Sequence, residues 1–214
     1  LVIARRIWKD INLNVDFSHY EIKDYPVSAD SSSDYYKESP WGPGWGRRKV
    51  SLEEVHKDGI ELELNGHILD NLDFYLSGAY NKWKYKGPYN GGPEEIADER
   101  MSDRAKYRAN AGIGYNLFEN TRLLLDYEYQ DKQVQEVVDV IDEDAGLWES
   151  REVQIDSYGV FAFAVQQTLF EKWGAISNGV LKVYVNNLFD EEYQTSRGYP
   201  ATDRTYGVGL SFGF

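Results

Sequence analysis

The sequence predicts an all-β chain: an antiparallel transmembrane β-barrel wall of about eight to nine strands belonging to a larger barrel. Three observations carry this. Apolar residues recur with period two in segment after segment, the connections alternate between short and long, and aromatic residues gather near both ends of the segments. Composition agrees. The chain is 15% aromatic, with 17 Tyr, 6 Trp and 19 Gly, and its mean hydropathy is only −0.60. The longest apolar run, Val160–Val165, has six residues, whereas a spanning helix needs about 20. A barrel strand tolerates low mean hydropathy because its two faces alternate and cancel.

The stripes follow in order. Leu1–Arg6 reads as the stub of a strand entering a short turn near Ile7–Asp10. Ile11, Leu13, Val15 and Phe17 alternate with Asn12, Asn14 and Asp16. Ile60, Leu62 and Leu64 alternate with Glu61 and Glu63. Leu72, Phe74, Leu76, Gly78 and Tyr80 come next, then Tyr107, Ala109, Ala111, Ile113 and Tyr115. Leu123, Leu125, Tyr127 and Tyr129 interleave with Asp126 and Glu128. Ile155–Val165 carries Phe161 and Phe163, and Leu181, Val183 and Val185 follow. The last stripe, Tyr206, Val208, Leu210, Phe212 and Phe214, is set against Gly207, Gly209, Ser211 and Gly213. On a helix these residues would lie on all sides, so strand is the expectation throughout.

Short connections fall near Gly66–Asn71, Asn116–Asn120 and Phe170–Asn178, and long polar ones near Pro26–Leu52, Lys86–Asp103, Gln130–Val153 and Leu188–Asp203. Outer-membrane barrels show this asymmetry of turns and loops. Tyr20, Tyr25, Tyr80, Trp83, Tyr85, Tyr107, Tyr127 and Tyr129 fall toward the loop ends, and Phe118, Phe170, Trp173 and Phe214 toward the turn ends, as two interfacial girdles. On the opposite face, Glu61, Glu63, Arg108, Asp126 and Glu128 are expected to form a polar lumen wall. A tight turn near Phe118 would set Arg108 opposite Glu128 and Asn110 opposite Asp126.

A net charge of −13 argues against nucleic acid as a partner. No cysteine is present, so thiolate chemistry is excluded. His19, His56 and His67 lack the His-x-x-x-His spacing of a metal site, no catalytic elbow or P-loop occurs, and no cofactor, metal site or enzyme activity is expected. His56 lies near Glu53 and Glu54 but reads as a solvated loop end. Tyr35, Tyr36, Trp41 and Trp45, in a loop rich in Pro and Gly, are the candidate ligand-binding residues, because rigid amphipathic rings stack on planar ligands at low entropy cost. The acidic run Asp139–Glu152 reads as a solvated loop.

The stretch Val183-Tyr-Val-Asn-Asn-Leu-Phe-Asp-Glu-Glu-Tyr193, followed by Arg204 and the final Tyr206–Phe214 strand, resembles the C-terminal end of TonB-dependent outer-membrane receptors. Asn187, Leu188, Phe189, Asp190, Tyr193, Arg204 and Phe214 match the family pattern, and Asp58-Gly-Ile-Glu is a looser match. The resemblance implies that residues 1–214 are the C-terminal part of a 22-stranded barrel in the outer membrane of a Gram-negative bacterium. It also implies an N-terminal plug, which this sequence does not show. The partners it implies are outer-membrane lipid, the remaining strands and plug, the TonB complex acting through the plug, and the barrel-assembly machinery reading the final strand. The cargo would be a small-molecule chelate, an iron–siderophore complex above all. Beside the resemblance, Asn187 and Asp190 are residue types that turn a chain through side-chain-to-backbone hydrogen bonds.

Two other architectures fit parts of the pattern. A complete eight-stranded barrel with an adhesive or structural role would pair its first and last strands. A soluble β-sandwich would bury its phenylalanines in a core.

Overall fold

The computed structural model describes residues 1–8, 10–28, 49–89, 105–142 and 147–213. In chain order the strands are β1 (Val2–Trp8), β2 (Ile11–Ser28), β3 (Lys49–Leu69), β4 (Leu72–Tyr89), β5 (Tyr107–Phe118), β6 (Thr121–Gln130), β7 (Gln133–Asp142), β8 (Leu147–Ile155), β9 (Tyr158–Trp173), β10 (Ile176–Asn186), β11 (Gln194–Ser196), β12 (Tyr199–Pro200) and β13 (Thr205–Gly213). Nine of them form one antiparallel sheet in the order β1-β2-β3-β4-β5-β6-β9-β10-β13. The pairs β7-β8 and β11-β12 are separate hairpins standing in the connections β6–β9 and β10–β13. Because each strand pairs with its predecessor in this meander, the turns at Asp70–Asn71, Glu119–Asn120 and Gly174–Ala175 lie at one end of the sheet. The strand ends that bound the long connections lie at the other.

The period-two stripes merge into a single face. Phe17 pairs with Ile60, Val15 with Leu62 and Leu13 with Leu64. Ile60, Leu62 and Leu64 pair in turn with Tyr80, Gly78 and Leu76, and Leu76 and Phe74 with Ala111 and Ile113. The row continues from Ile113 to Leu125, to Phe163, to Val185 and to Tyr206. Glu61, Glu63, Asp126 and Glu128 occupy the alternate positions and therefore the other face. Arg5 departs from this pattern: as the partner of Leu13 on edge strand β1 it shares the apolar face.

This apolar face is uncovered. Phe17, Ile60, Leu76, Ile113, Val183, Val208 and Leu210 are all exposed, and the only buried apolar residues among those described are Val55, Ala105, Ile155, Tyr158 and Ala164. The chain of 24.7 kDa presents 14769 Å² to its surroundings, where a compact soluble monomer of that mass presents roughly 10,000 Å². Among the described residues no second sheet packs on this face, so they form one open sheet and not the sandwich that would bury the phenylalanines in a core. The closed eight-stranded barrel is overturned too, because β1 and β13 are the two edges of an open sheet and share no ladder.

Four expectations need correction in detail. Arg108 pairs with Gln130, Asn110 with Glu128 and Gly112 with Asp126, so the face is as expected but the register is offset by two residues. The reason is that the reversal is centred on Glu119–Asn120, with an irregularity between Asn116 and Phe118. The stretch Gln130–Val153 is a hairpin and not an irregular loop. Strand β9 begins at Tyr158, Ile155 being the end of β8. Tyr20 and Trp83 leave the apolar girdle: they flank Lys57 on the opposite face, its ammonium 5.4 and 5.6 Å from their ring centroids. Tyr80 and Tyr107 remain on the apolar face, with ring centroids 5.2 Å apart.

Candidate functional site

On the polar face, side chains reach across intervening strands. Tyr75 of β4 donates its hydroxyl to Asp126 Oδ1 of β6 at 2.9 Å. Strand β5 lies between them, and Tyr75 passes over Gly112, where a Cβ would collide with its ring and with Asp126. One step nearer the short turns, Arg122 of β6 grips both oxygens of Asp73 of β4 at 2.6 and 2.8 Å and Asn116 Oδ1 at 3.0 Å. It crosses Gly114 in the same way. Adjacent strands lie about 4.8 Å apart, so a contact between next-nearest strands needs a middle residue without a side chain. The polar pattern of β4 and β6 and the glycines of β5 are one arrangement.

Further along this face Tyr158 donates to Glu128 Oε1 at 3.4 Å and Asn14 to Glu63 Oε2 at 3.4 Å. Tyr75, Asn110, Asp126, Glu128, Asn187 and Tyr193 are among the residues lining a cleft of about 280 Å³. Tyr193 stacks on Tyr158 with ring centroids 4.2 Å apart. Burial, and then the charge of Glu128, push the Tyr193 hydroxyl above its ordinary value, so it stays a neutral hydrogen-bonding group. The cleft offers carboxylates, phenols and side-chain amides. Of the expected lumen-wall residues, Asp126 and Glu128 meet in it, while Glu61, Glu63 and Arg108 lie elsewhere on the same face.

The motif after β10 closes the cleft's loop end. Asn187 is buried and its backbone is left-handed, with φ +51°. Its Nδ2 donates to the carbonyls of Glu191 at 2.9 Å and Thr202 at 3.4 Å, and its Oδ1 accepts from the Glu191 amide at 2.8 Å. Asp190, also left-handed, accepts the Arg204 amide at 2.7 Å. Both residues thus turn the chain by side-chain-to-backbone hydrogen bonds, and together they clasp the two ends of the 187–204 connection. The Leu188 amide donates to the Phe161 carbonyl at 2.7 Å, and the Phe189 ring meets Phe161 edge-on at 5.4 Å. Leu188 and Phe189 thereby tie the connection to β9. Tyr206 follows Thr205 at the start of β13 and lies opposite Val185. Phe214 and the ligand-binding candidates Tyr35, Tyr36, Trp41 and Trp45 lie outside the described residues.

One cluster was invisible in the linear spacing. His19 and His56 approach with ring centroids 5.7 Å apart, because β2 and β3 pair Glu21 with His56 and His19 with Asp58. The clue available in the sequence was the parity of these residues on the two stripes that meet at Phe17 and Ile60.

The fold and the two-faced wall define a class: the chain has the fold of part of a TonB-dependent receptor barrel. It resembles the copper transporter OprC, with a TM-score of 0.66 and 14% identity over 97% of this chain and 29% of that one. It also resembles Pseudomonas aeruginosa FpvA in a complex with a heterologous pyoverdine and iron (TM-score 0.64, 13% identity, 94% of this chain and 24% of that one). A further likeness is to the siderophore receptor PiuA from Acinetobacter baumannii (TM-score 0.61, 18% identity, 94% and 26%). The chain spans roughly a quarter of the length of each. No protein-family model matches the sequence, and no curated protein does.

Proposed function

We propose that residues 1–214 are the C-terminal part of the barrel wall of a TonB-dependent receptor in the outer membrane of a Gram-negative bacterium, which imports an iron–siderophore complex or a similar metal chelate. The observation that carries this reading is the exposed apolar face, continuous from Phe17 to Tyr206 across an open sheet. Lipid covers that face. The alternating stretch Tyr107–Tyr115 of β5, apolar on one face, has nine residues, the length with which a tilted strand crosses a hydrocarbon layer. The polar face turns to the lumen, where Asp126, Glu128, Glu61, Glu63 and Arg108 meet the plug supplied by a segment outside this chain. TonB acts through that plug. Tyr35, Tyr36, Trp41 and Trp45 contact the cargo, and the β13 strand with Phe214 is read by the assembly machinery. Structural neighbours, a siderophore receptor and a copper transporter among them, support the chelate class of cargo.

The test is deletion of the gene carrying this chain in its host, followed by uptake of labelled ferric chelates. Loss of uptake of one chelate, restored by the complete gene, supports the reading. Unchanged uptake of every chelate, or recovery of the protein in the soluble fraction, overturns it.

A further inference from the structure

We propose that His19, Glu21 and His56 form a binding site for a divalent transition-metal ion of the Cu²⁺ or Zn²⁺ kind, on the apolar side of the sheet just beyond the last apolar pair. The pairs run Phe17–Ile60, His19–Asp58 and Glu21–His56, and all six residues share one face. The cluster is therefore built by the β2–β3 ladder and stands apart from the cleft on the polar face.

Its geometry suits a metal. One ligand atom from each of the three side chains lies within 4.8 Å of the others, and His19 Nε2 is 3.6 Å from Glu21 Oε1. A tetrahedral ion with ordinary bond lengths needs ligand atoms about 3.3 Å apart, a contraction that the exposed His19 and Glu21 side chains supply by rotating toward the half-buried His56. Asp58 supplies the outer support: its carboxylate lies 2.7 Å from His19 Nδ1. A proton held on Nδ1 by that bond leaves the Nε2 lone pair pointing at Glu21, the carboxylate–histidine arrangement that orients metal ligands. His56 Nε2 is buried and has no hydrogen-bond partner, although Glu54 Oε1 lies 3.4 Å away. An imidazole nitrogen buried without a hydrogen-bond partner beside the Glu54 carboxylate is poorly satisfied without a cation. Lys84, the register partner of His56, places an ammonium nearby but has no lone pair to compete as a ligand when charged.

Two imidazoles and one carboxylate are borderline ligands that favour Cu²⁺, Ni²⁺ and Zn²⁺ over Mg²⁺ and Ca²⁺. The fourth position is open to water or to a ligand carried by the ion.

The experiment is titration calorimetry of Cu²⁺ and of Zn²⁺ into the untagged full polypeptide carrying this chain, folded in detergent, with Mg²⁺ as the comparison ion. His19→Ala and His56→Ala should each weaken binding at least about tenfold, and Asp58→Asn should weaken it less. His67→Ala, at the opposite end of β3, should leave it unchanged. The Cu²⁺ electron paramagnetic resonance spectrum should show coupling to two nitrogens. Heat-modifiable gel mobility confirms that each variant is folded; should an alanine variant misfold, His19→Gln and His56→Gln replace it. Equal affinity in the folded histidine variants, or Mg²⁺ binding as tightly as Zn²⁺, overturns the site.

Discussion

Tyr75 and Asp126 sit on strands that are not neighbours, yet they share a 2.9 Å hydrogen bond drawn across the bare backbone of Gly112. The same device recurs one step away with Asp73, Arg122 and Gly114. The polar face is therefore laced across three strands, β4 to β6, which stiffens a wall whose backbone ladder alone would leave it free to flex.

Gly112→Ala should break this lacing. Its methyl group meets the Tyr75 ring and Asp126, and the cost of overpacking plus a lost charge-assisted hydrogen bond is about 1–3 kcal/mol. Gly209→Ala has nothing within 4 Å of the added carbon and should be close to neutral. Urea unfolding of both variants in detergent measures the difference. Equal stability would show that Tyr75 moves aside without loss.

Arg122 and Asp73 should couple. Their side chains are one-third exposed, so solvent screens the pair. The two-oxygen grip nevertheless places it toward the upper end of the surface range, at about 1 kcal/mol. A double-mutant cycle with Arg122→Met and Asp73→Asn checks this. Coupling that does not shrink at high salt would contradict the electrostatic assignment.

How much of this was legible in the sequence follows from what each feature depends on. Parity is local, so the assignment of Leu76, Ile113 and Leu125 to one face and of Glu61 and Asp126 to the other could be read from alternation alone. Register is not local. A turn centred one residue further along moved Arg108 from Glu128 to Gln130, and no period-two pattern reports that. Strands β7 and β8 were hidden because charged residues interrupt the alternation over Glu136–Asp142, while their pairing satisfies the backbone regardless. His19 and His56 meet only through the β2–β3 ladder, whose register is set by the pairing of the stripes and not by the number of residues between the two histidines. The cross-strand use of Gly112 and Gly114 was equally unreadable, since the partners stand on β4 and β6.

Asn187→Ala should loosen the clasp over residues 187–204. The substitution removes three hydrogen bonds at a buried site and places a Cβ-bearing residue at φ +51° without the local bonding that lets Asn adopt it. A cost of about 2–4 kcal/mol follows from the unsatisfied groups and the strain together. Asn187→Gly keeps the backbone free and should recover only the strain component. Limited proteolysis of the connection reads both, and identical cleavage in wild type and Asn187→Ala would refute the role.

Alkaline conditions should act on the cleft through Tyr193. Its folded-state value is raised, so the neutral phenol contributes stability that is fully present below the ordinary tyrosine value of about 10. That contribution is lost as pH rises through the higher folded value, because ionisation then puts a phenolate beside Glu128. Tyr193→Phe should flatten this alkaline loss. Tyrosinate absorbance followed against pH in the two proteins provides the measurement, and a Tyr193 that ionises at the ordinary value would contradict it.

The two faces should respond in opposite ways to charge. Ile113 and Leu125 are register partners on the exposed apolar face. If lipid covers that face, Ile113→Arg places a guanidinium in hydrocarbon at a cost of about 2–4 kcal/mol near the midplane. Ala79, whose partners are Glu61 and Arg108, stands on the polar face, and Ala79→Arg meets water there, with the Glu61 carboxylate offsetting the like charge of Arg108. Folded yield in the outer membrane and urea midpoints in lipid vesicles should fall sharply for Ile113→Arg and little for Ala79→Arg. The reverse order would assign lipid to the wrong face, and with it every role given to Asp126, Glu128 and the cleft they line.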